Sequence, residues 1–555
     1  GSEMCIRDST WADGTTGIVG NISSTNSLIG SVANDRVGNG GIIKLDNNNF
    51  FIVSRQWNNG AFINAGAVTW ADGAGGIVGT ISASNSAIGS QSNQFFGELV
   101  TDYSFDNSVL VWSQTPDNSG QVQIVSYLDG TGDSASGQTF TSNPGWGVSI
   151  TPSSITTILN SGAALTLQAN NDITINDPIN VNFSGTSGTA GDLTLEAGRS
   201  ILINANINTD GGSFIATANS GAASGTVDSY RDTGSAVITM ADTVSINTTG
   251  TTDGSIQLTI SDGAGLTNSA SGLLTLENLT AGTGNITLTS INGALSFTGT
   301  TVQAGTLTFS TPSLLGSLGT PVATTANTIV LSSLGGAAYI SNTSTDLTLS
   351  GTVNTDLVLS NTGNITMGGD IISTTGDVSL ISTGITAVSG NSIQSDVFTI
   401  SSTGAIGTNT IAMETQVNSL VLSNLGGASY FNNTSGALSV SGAGTFGGVF
   451  DLTNTGSIST TSALQSSADF NFNAGTTLNL GNTITSTAGD VNLTSVGAMT
   501  LGGNVTSTAG DVSLISTGGA ILLGTNQVNA FGNLSLSGSS VSGTGIIQSD
   551  SLTLS

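Results

Sequence analysis

The sequence predicts an all-β chain, a parallel β-helix (β-solenoid) preceded by propeller-blade-like β-hairpin repeats. Three observations carry that expectation. Gly, Ser, Thr and Asn dominate the 555 residues, with 77 glycines and only 7% charged side chains; this composition is poor in helix formers. Short apolar runs alternate with polar residues at the two-residue period of a strand. Segments return at fixed spacings, the mark of a repeat architecture.

Charge removes several functional classes. The chain has 34 acidic and 6 basic residues, no histidine and a formal net charge of −28. Arg231 is the last basic residue, so 324 positions lie beyond it without a cation. Nucleic-acid binding needs Lys and Arg on phosphates, and anionic membrane surfaces ask for the same residues. No apolar run approaches the roughly 18 residues of a spanning helix. A mean hydropathy of +0.21 argues against disorder.

Residues 1–9, GSEMCIRDS, do not match the rest of the chain and hold the only cysteine, Cys5. They resemble translated adapter sequence and are set apart as a non-native tail. At the other end the chain stops inside a strand-like pattern, Ser549 to Ser555. The expectation is an internal fragment of a longer protein.

Residues 10–130 carry a repeat of 59. Thr10-Trp11-Ala12-Asp13-Gly14 returns as Thr69-Trp70-Ala71-Asp72-Gly73, and Ile18-Val19-Gly20 as Ile77-Val78-Gly79. A fainter third copy aligns Phe51 to Ser54 with Leu110 to Ser113. Each unit reads as two hairpins. Ile42 to Leu45 pairs with Phe50 to Ser54 across Asp46 to Asn49, and Ala67 to Trp70 with Ile77 to Ser82 across Asp72-Gly73. Two hairpins make a four-stranded blade. The tryptophans lie here or just after: Trp11, Trp57, Trp70, Trp112 and Trp146. Such rings can stack on sugars, but Trp11 and Trp70 recur at the repeat period, which reads as packing between blades.

Residues 131–150 form a linker by composition. Thr151 then offers an N-cap, Pro152 a first helical position and Gly162 a stop, predicting one two-turn helix that caps the adjoining module. From there the period shortens. Leu165 to Ala169 recurs as Leu193 to Ala197, and Ile173 to Asn176 as Ile201 to Asn204. Ser486 to Val491 recurs 21 residues later as Ser507 to Val512, and Leu334 to Tyr339 returns after 91 residues as Leu425 to Tyr430. Coils of about 20 residues with inward Val, Ile and Leu fit a β-solenoid. At that length, about 20 coils span the remainder, in a first module over 151–310 and a repetitive continuation over 311–555. Leu493 and Leu514 should stack inward, one coil apart.

Three stretches between 151 and 290 add a resemblance: SSITTILNSGAALTLQANNDITIND from Ser153, GDLTLEAGRSILINANINTDGGSF from Gly191 and SGTVDSYRDTGSAVITM from Ser224. They resemble large filamentous-haemagglutinin-like exoproteins of Gram-negative bacteria. The 59-residue units resemble a repeat of unknown function that accompanies them. The resemblance implies a right-handed parallel β-helix, export through an outer-membrane two-partner transporter and an extracellular or cell-surface address. The family's secretion domain is not in this sequence.

Chemistry-bearing patterns are sparse, and no catalytic, cofactor or metal residue is assigned. Without histidine no nucleophile–base pair of the Ser-His type forms, and His/Cys metal sites are excluded. A β-helix glycosidase needs two carboxylates across a cleft. The nearest sequence pairs are Asp172 with Asp177 and Asp228 with Asp232; Arg199 and Arg231 are the cations a lyase would use. Arg231 with Asp232 reads instead as a local ion pair fixing a loop. Calcium is weighed because acidic β-rolls bind it, but the Gly376-Asp377, Gly489-Asp490 and Gly510-Asp511 corners each offer one carboxylate and no tandem nonapeptide is present. Their ordinary role is turn formation.

The functional expectation is a non-catalytic, adhesin-like protein: a stiff stalk presenting binding surfaces to a glycan or protein receptor on cells or matrix. A structural spacer without a ligand is the second reading, and a polysaccharide-degrading β-helix the third.

Overall fold

The computed structural model describes residues 9–10, 21–44, 50–71, 76–82, 85–103, 108–113, 121–126, 135–142, 148–185, 188–299, 301–442 and 445–555. The structure is nearly all β, with 3% helix. It divides into two compact units, Gly1–Ile155 and Thr156–Ser555.

In the first unit, Gly41–Lys44, Phe50–Ser54, Ala67–Ala71 and Ser86–Ile88 form a four-stranded antiparallel sheet. A second antiparallel sheet, Leu99–Tyr103, Ser108–Ser113 and Gln121–Ser126, comes one repeat later. The strand Phe50–Ser54 packs both ways. Ile52 joins Leu28, Val37, Trp57, Ala67, Ala71 and Ile81 in one apolar cluster. Phe51 and Val53, pointing to the opposite face, join Val68, Phe96 and Val111 in another. Val37 and Phe96 stand 59 residues apart, as do Ile52 and Val111, so successive units bury equivalent positions. Alternation along a strand sends neighbours to opposite faces, which is how one strand contributes to two cores.

The repeat extends to the polar contacts. Asn26 Oδ1 accepts from the Ser23 N–H and Asn85 Oδ1 from the Ser82 N–H, each at 2.9 Å. Thr10 pairs with Ser27 and Thr69 with Ser86, hydroxyl to hydroxyl at 2.7 Å. One expectation fails here. Ala67–Ala71 does not pair with Ile77 to Ser82; its partner is Ser86–Ile88. Gly79–Thr80 instead runs parallel to Leu28–Ile29 of the preceding repeat. The Asn85 turn sets the later strand in place, which frees the earlier one to tie repeats together. The Asp46 to Asn49 and Asp72-Gly73 turns, Trp11, Trp146 and parts of the linker (131–134 and 143–147) lie outside the described residues.

Among the described residues one α-helix, α1 (Pro152–Asn160), precedes the solenoid. The Ser154 N–H donates to Thr151 Oγ1 at 3.3 Å, and Gly162 closes the helix at φ +81°, as the sequence predicts. The end of α1 meets the first coil: Leu159 is fully buried and its carbonyl accepts from the Gly191 N–H at 2.9 Å.

The second unit is a β-solenoid of about 17 turns from residue 193 to the C-terminus, joined by parallel pairing. Leu165–Ala169 lies in register on Leu193–Ala197, and Ile173–Ile175 on Ile201–Ile203. Val491–Ser495 lies on Val512–Ser516, with Leu493 paired to Leu514 and both fully buried. Strand after strand reads buried, half-buried, buried. The turns number fewer than 20 because some coils are long: Phe214 pairs with Ile256, 42 positions on, the extra chain forming a loop with two short 3-10 turns. The strand Val302–Thr311 runs through residue 310, so stacking continues without a break there.

Farther along, Phe431, Phe450 and Phe470 stack inside with centroid separations of 6.0 and 5.3 Å, joined by Phe446 and Phe472. The 91-residue repeat is structural. Ladder slips after Phe309 and after Ile400 fall 91 residues apart. Buried Asn342 binds Thr324, Ala326, Ser344 and Asn361, and buried Asn433 binds Thr415, Val417, Ser435 and Asn454 in the same way. A side-chain amide that bonds at every atom inside a core costs little; one left unpaired there would be strongly destabilising.

Candidate functional site

Around the long coil lie both arginines of the solenoid and three of the carboxylates singled out in the sequence, Asp172, Asp228 and Asp232. Arg199 and Asp172 form a two-pronged ion pair, Nε to Oδ1 at 2.8 Å and Nη2 to Oδ2 at 2.5 Å. The Ser200 N–H adds a third bond to Asp172 at 3.0 Å. Burial pushes the Asp172 carboxyl up, but the Arg199 and Ser200 hydrogen bonds outweigh it and hold the group below its ordinary value.

Arg231 does not pair with the Asp232 carboxylate, contrary to expectation. Its guanidinium is buried at 4% exposure and donates to the carbonyls of Gly198 (2.6 Å) and Asp232 (3.2 Å) and to Asn219 Oδ1 (3.1 Å). Burial, then the nearby Arg199 charge, lowers its pKa from the usual arginine value. The Asp232 carboxylate turns to Asn171 Nδ2 at 2.6 Å and lies 3.9 Å from Arg199. The local pair fails because the buried loop has main-chain carbonyls that need donors, and a five-donor guanidinium answers several at once. Asn219, in the left-handed region at φ +57°, extends the node by donating to the Ser261 and Ser269 carbonyls, each at 2.9 Å. Three successive coils are thereby tied together.

Asp228 binds Thr267 instead, accepting from Oγ1 at 2.6 Å and from N–H at 3.1 Å. These Thr267 bonds lower its pKa. Asp177 lies exposed beyond the Ile173–Ile175 strand. The sequence pairs are therefore split among separate partners. Asp172 and Asp228 are both held ionised, the reverse of a general acid, whose pKa must be raised.

The Gly-Asp corners align in a way the sequence reading missed. Asp469, Asp490 and Asp511 stand 21 residues apart, and each carboxylate Oδ1 accepts the main-chain N–H of the corner above. The distances are 2.9 Å to Asp490, 2.8 Å to Asp511 and 2.7 Å to Asn533. The signal was the spacing itself. Gly376-Asp377 does the same on another stretch, with Asp377 N–H on Asp356 and Val397 N–H on Asp377, each at 3.1 Å. Among the described residues no three metal-ligating side chains of His, Cys, Asp or Glu come together. No helix among them is long and apolar enough to cross a membrane.

The tryptophans divide by burial. Trp57 is buried inside one apolar cluster of the first unit and Trp70 packs half-buried against the other.

Comparison with known proteins adds one family. Residues 9–39 and 44–98 match a repeat of unknown function (DUF5650). No curated protein and no solved structure matches the chain.

Proposed function

We propose that this chain is a non-catalytic, adhesin-like protein of the cell surface or extracellular space, its solenoid serving as a rigid stalk that carries binding surfaces. The observation behind this reading is the continuous parallel stacking of about 17 turns. At ~4.8 Å per turn the stack is about 80 Å long. The arginines hold a loop and the corner carboxylates bind main-chain N–H groups, so these charged residues are accounted for by architecture. Export by a two-partner route, in the manner of filamentous-haemagglutinin-like proteins, is part of the same proposal and rests on the resemblance over residues 151–290. The test is binding of the purified chain to cell surfaces and to a glycan array, with and without Ca²⁺. Saturable binding supports the adhesive reading; its absence from a folded sample favours a spacer. Hydrolysis or elimination on any polysaccharide that falls on Asp172→Asn or Asp228→Asn would overturn the non-catalytic reading.

A further inference from the structure

We propose that the narrow outer face formed by Gln465, Thr485, Thr506, Asn529 and Gln548 is a binding track for an extended, uncharged glycan, one sugar per coil; this deepens the adhesive reading and rests on it. The five side chains form one column, paired in register from Thr445 through Gln548. Four of them are the middle residues of the strands Leu464–Ser466, Ile484–Ser486, Val505–Ser507 and Val528–Ala530, whose flanking residues are buried. Each middle side chain therefore points outward.

Four features mark this face. The side chains of Gln465, Thr485, Thr506, Asn529 and Gln548 make no hydrogen bond to another protein group. The neighbouring face differs, for there Asn492 donates to Asn471 and Asn471 to Asp451, so its amides serve one another. The column also carries no charge. Asp469, Asp490 and Asp511 occupy a different corner, and the chain's net charge of −28 repels anionic polymers. Phe531, just past Val528–Ala530, is 67% exposed. Its N–H bonds the Ser507 carbonyl as Thr508 bonds Ser486 and Thr487 bonds Ser466, which sets the ring in the column beside the track. An exposed ring at that place offers a flat apolar face to a sugar. Finally, the coil step of ~4.8 Å is about the length of one pyranose in an extended chain, so weak contacts repeat in phase and add. A second copy of the protein is a poor occupant: one outward residue per coil over a few coils falls far short of the roughly 800 Å² per partner that stable interfaces bury.

The experiment uses the whole chain and an array of neutral, sialylated and sulfated oligosaccharides, including linear glucose oligomers as neutral probes. Wild type should bind neutral linear oligomers. Phe531→Ala should weaken that binding about tenfold, and Thr506→Asp should abolish it. Thr500→Asp, outward on another face, should bind as wild type, and circular dichroism checks that each variant is folded. Neutral binding that ignores Phe531→Ala and Thr506→Asp overturns the track. So does cell-surface binding without any neutral glycan binding, which leaves the adhesive reading standing. Loss of all binding, to cells and glycans alike, removes both.

Discussion

Leu493→Asp probes the stacking directly. Leu493 is fully buried, between Phe472 of the coil below and Leu514 of the coil above. Removing the leucine side chain from its apolar site forfeits about 1.5–3 kcal/mol. The incoming carboxyl has no partner there, so it stays protonated at pH 7. Holding it about three units above its ordinary pKa costs about 4 kcal/mol, and burying the neutral acid unbonded adds about 1–3 kcal/mol. The sum is about 6.5–10 kcal/mol, limited by whatever it costs to peel the neighbouring coils apart. In a stacked repeat the damage is local, so a global melting curve is a blunt readout. Hydrogen exchange with mass spectrometry should show lost protection over Val491–Ser495 and Val512–Ser516. Thr494→Asp, one residue on and facing outward, should cost under about 1 kcal/mol. Equal protection in the two variants would refute the inward register.

Three further outcomes are expected. Asn433→Ala should destabilise its coils by roughly 2–4 kcal/mol, since it strands several buried partners; Asn342→Ala should do the same in the earlier copy, measured by exchange in each region. Arg231→Met should leave the Gly198 and Asp232 carbonyls without their donor, and limited proteolysis should then cut within residues 219–235 faster than in wild type. Burial raises the Asp451 pKa, with Asn471 opposing; ionisation is therefore disfavoured in the fold. That penalty is absent in acid and grows as pH rises past the ordinary carboxylate range. Asp451→Asn should raise the melting temperature at pH 7, by an amount within about 1 kcal/mol, and the gain should vanish in acid.

Much of the fold was legible because parallel stacking is written twice in the sequence. Leu165 and Leu193, or Leu493 and Leu514, occupy equal places in repeated segments, and equal places in a solenoid become neighbours. The helix was legible because Thr151, Pro152 and Gly162 each act locally. Strand partners in the blade repeats were harder. Ile77 to Ser82 and Ser86–Ile88 both lie within reach of Ala67–Ala71, and only the Asn85 turn decides between them. Arg231 was misread for a related reason: a neighbour in sequence was the obvious anion, while the true acceptors, Gly198 and Asn219, lie 33 and 12 residues away. The column beside Phe531 needed the register of five coils before it became a surface.

The direction of the hydrogen bonds has a mechanical consequence. Pairing between coils runs along the solenoid axis, so a pull on the two ends loads the coils in series. The outermost coil yields first and the rest keep their shape. A coil of 21 residues, the spacing between Val491 and Val512, lengthens from ~4.8 Å to about 70 Å when drawn out. Pulled from its ends, the stack is therefore expected to release chain one coil at a time.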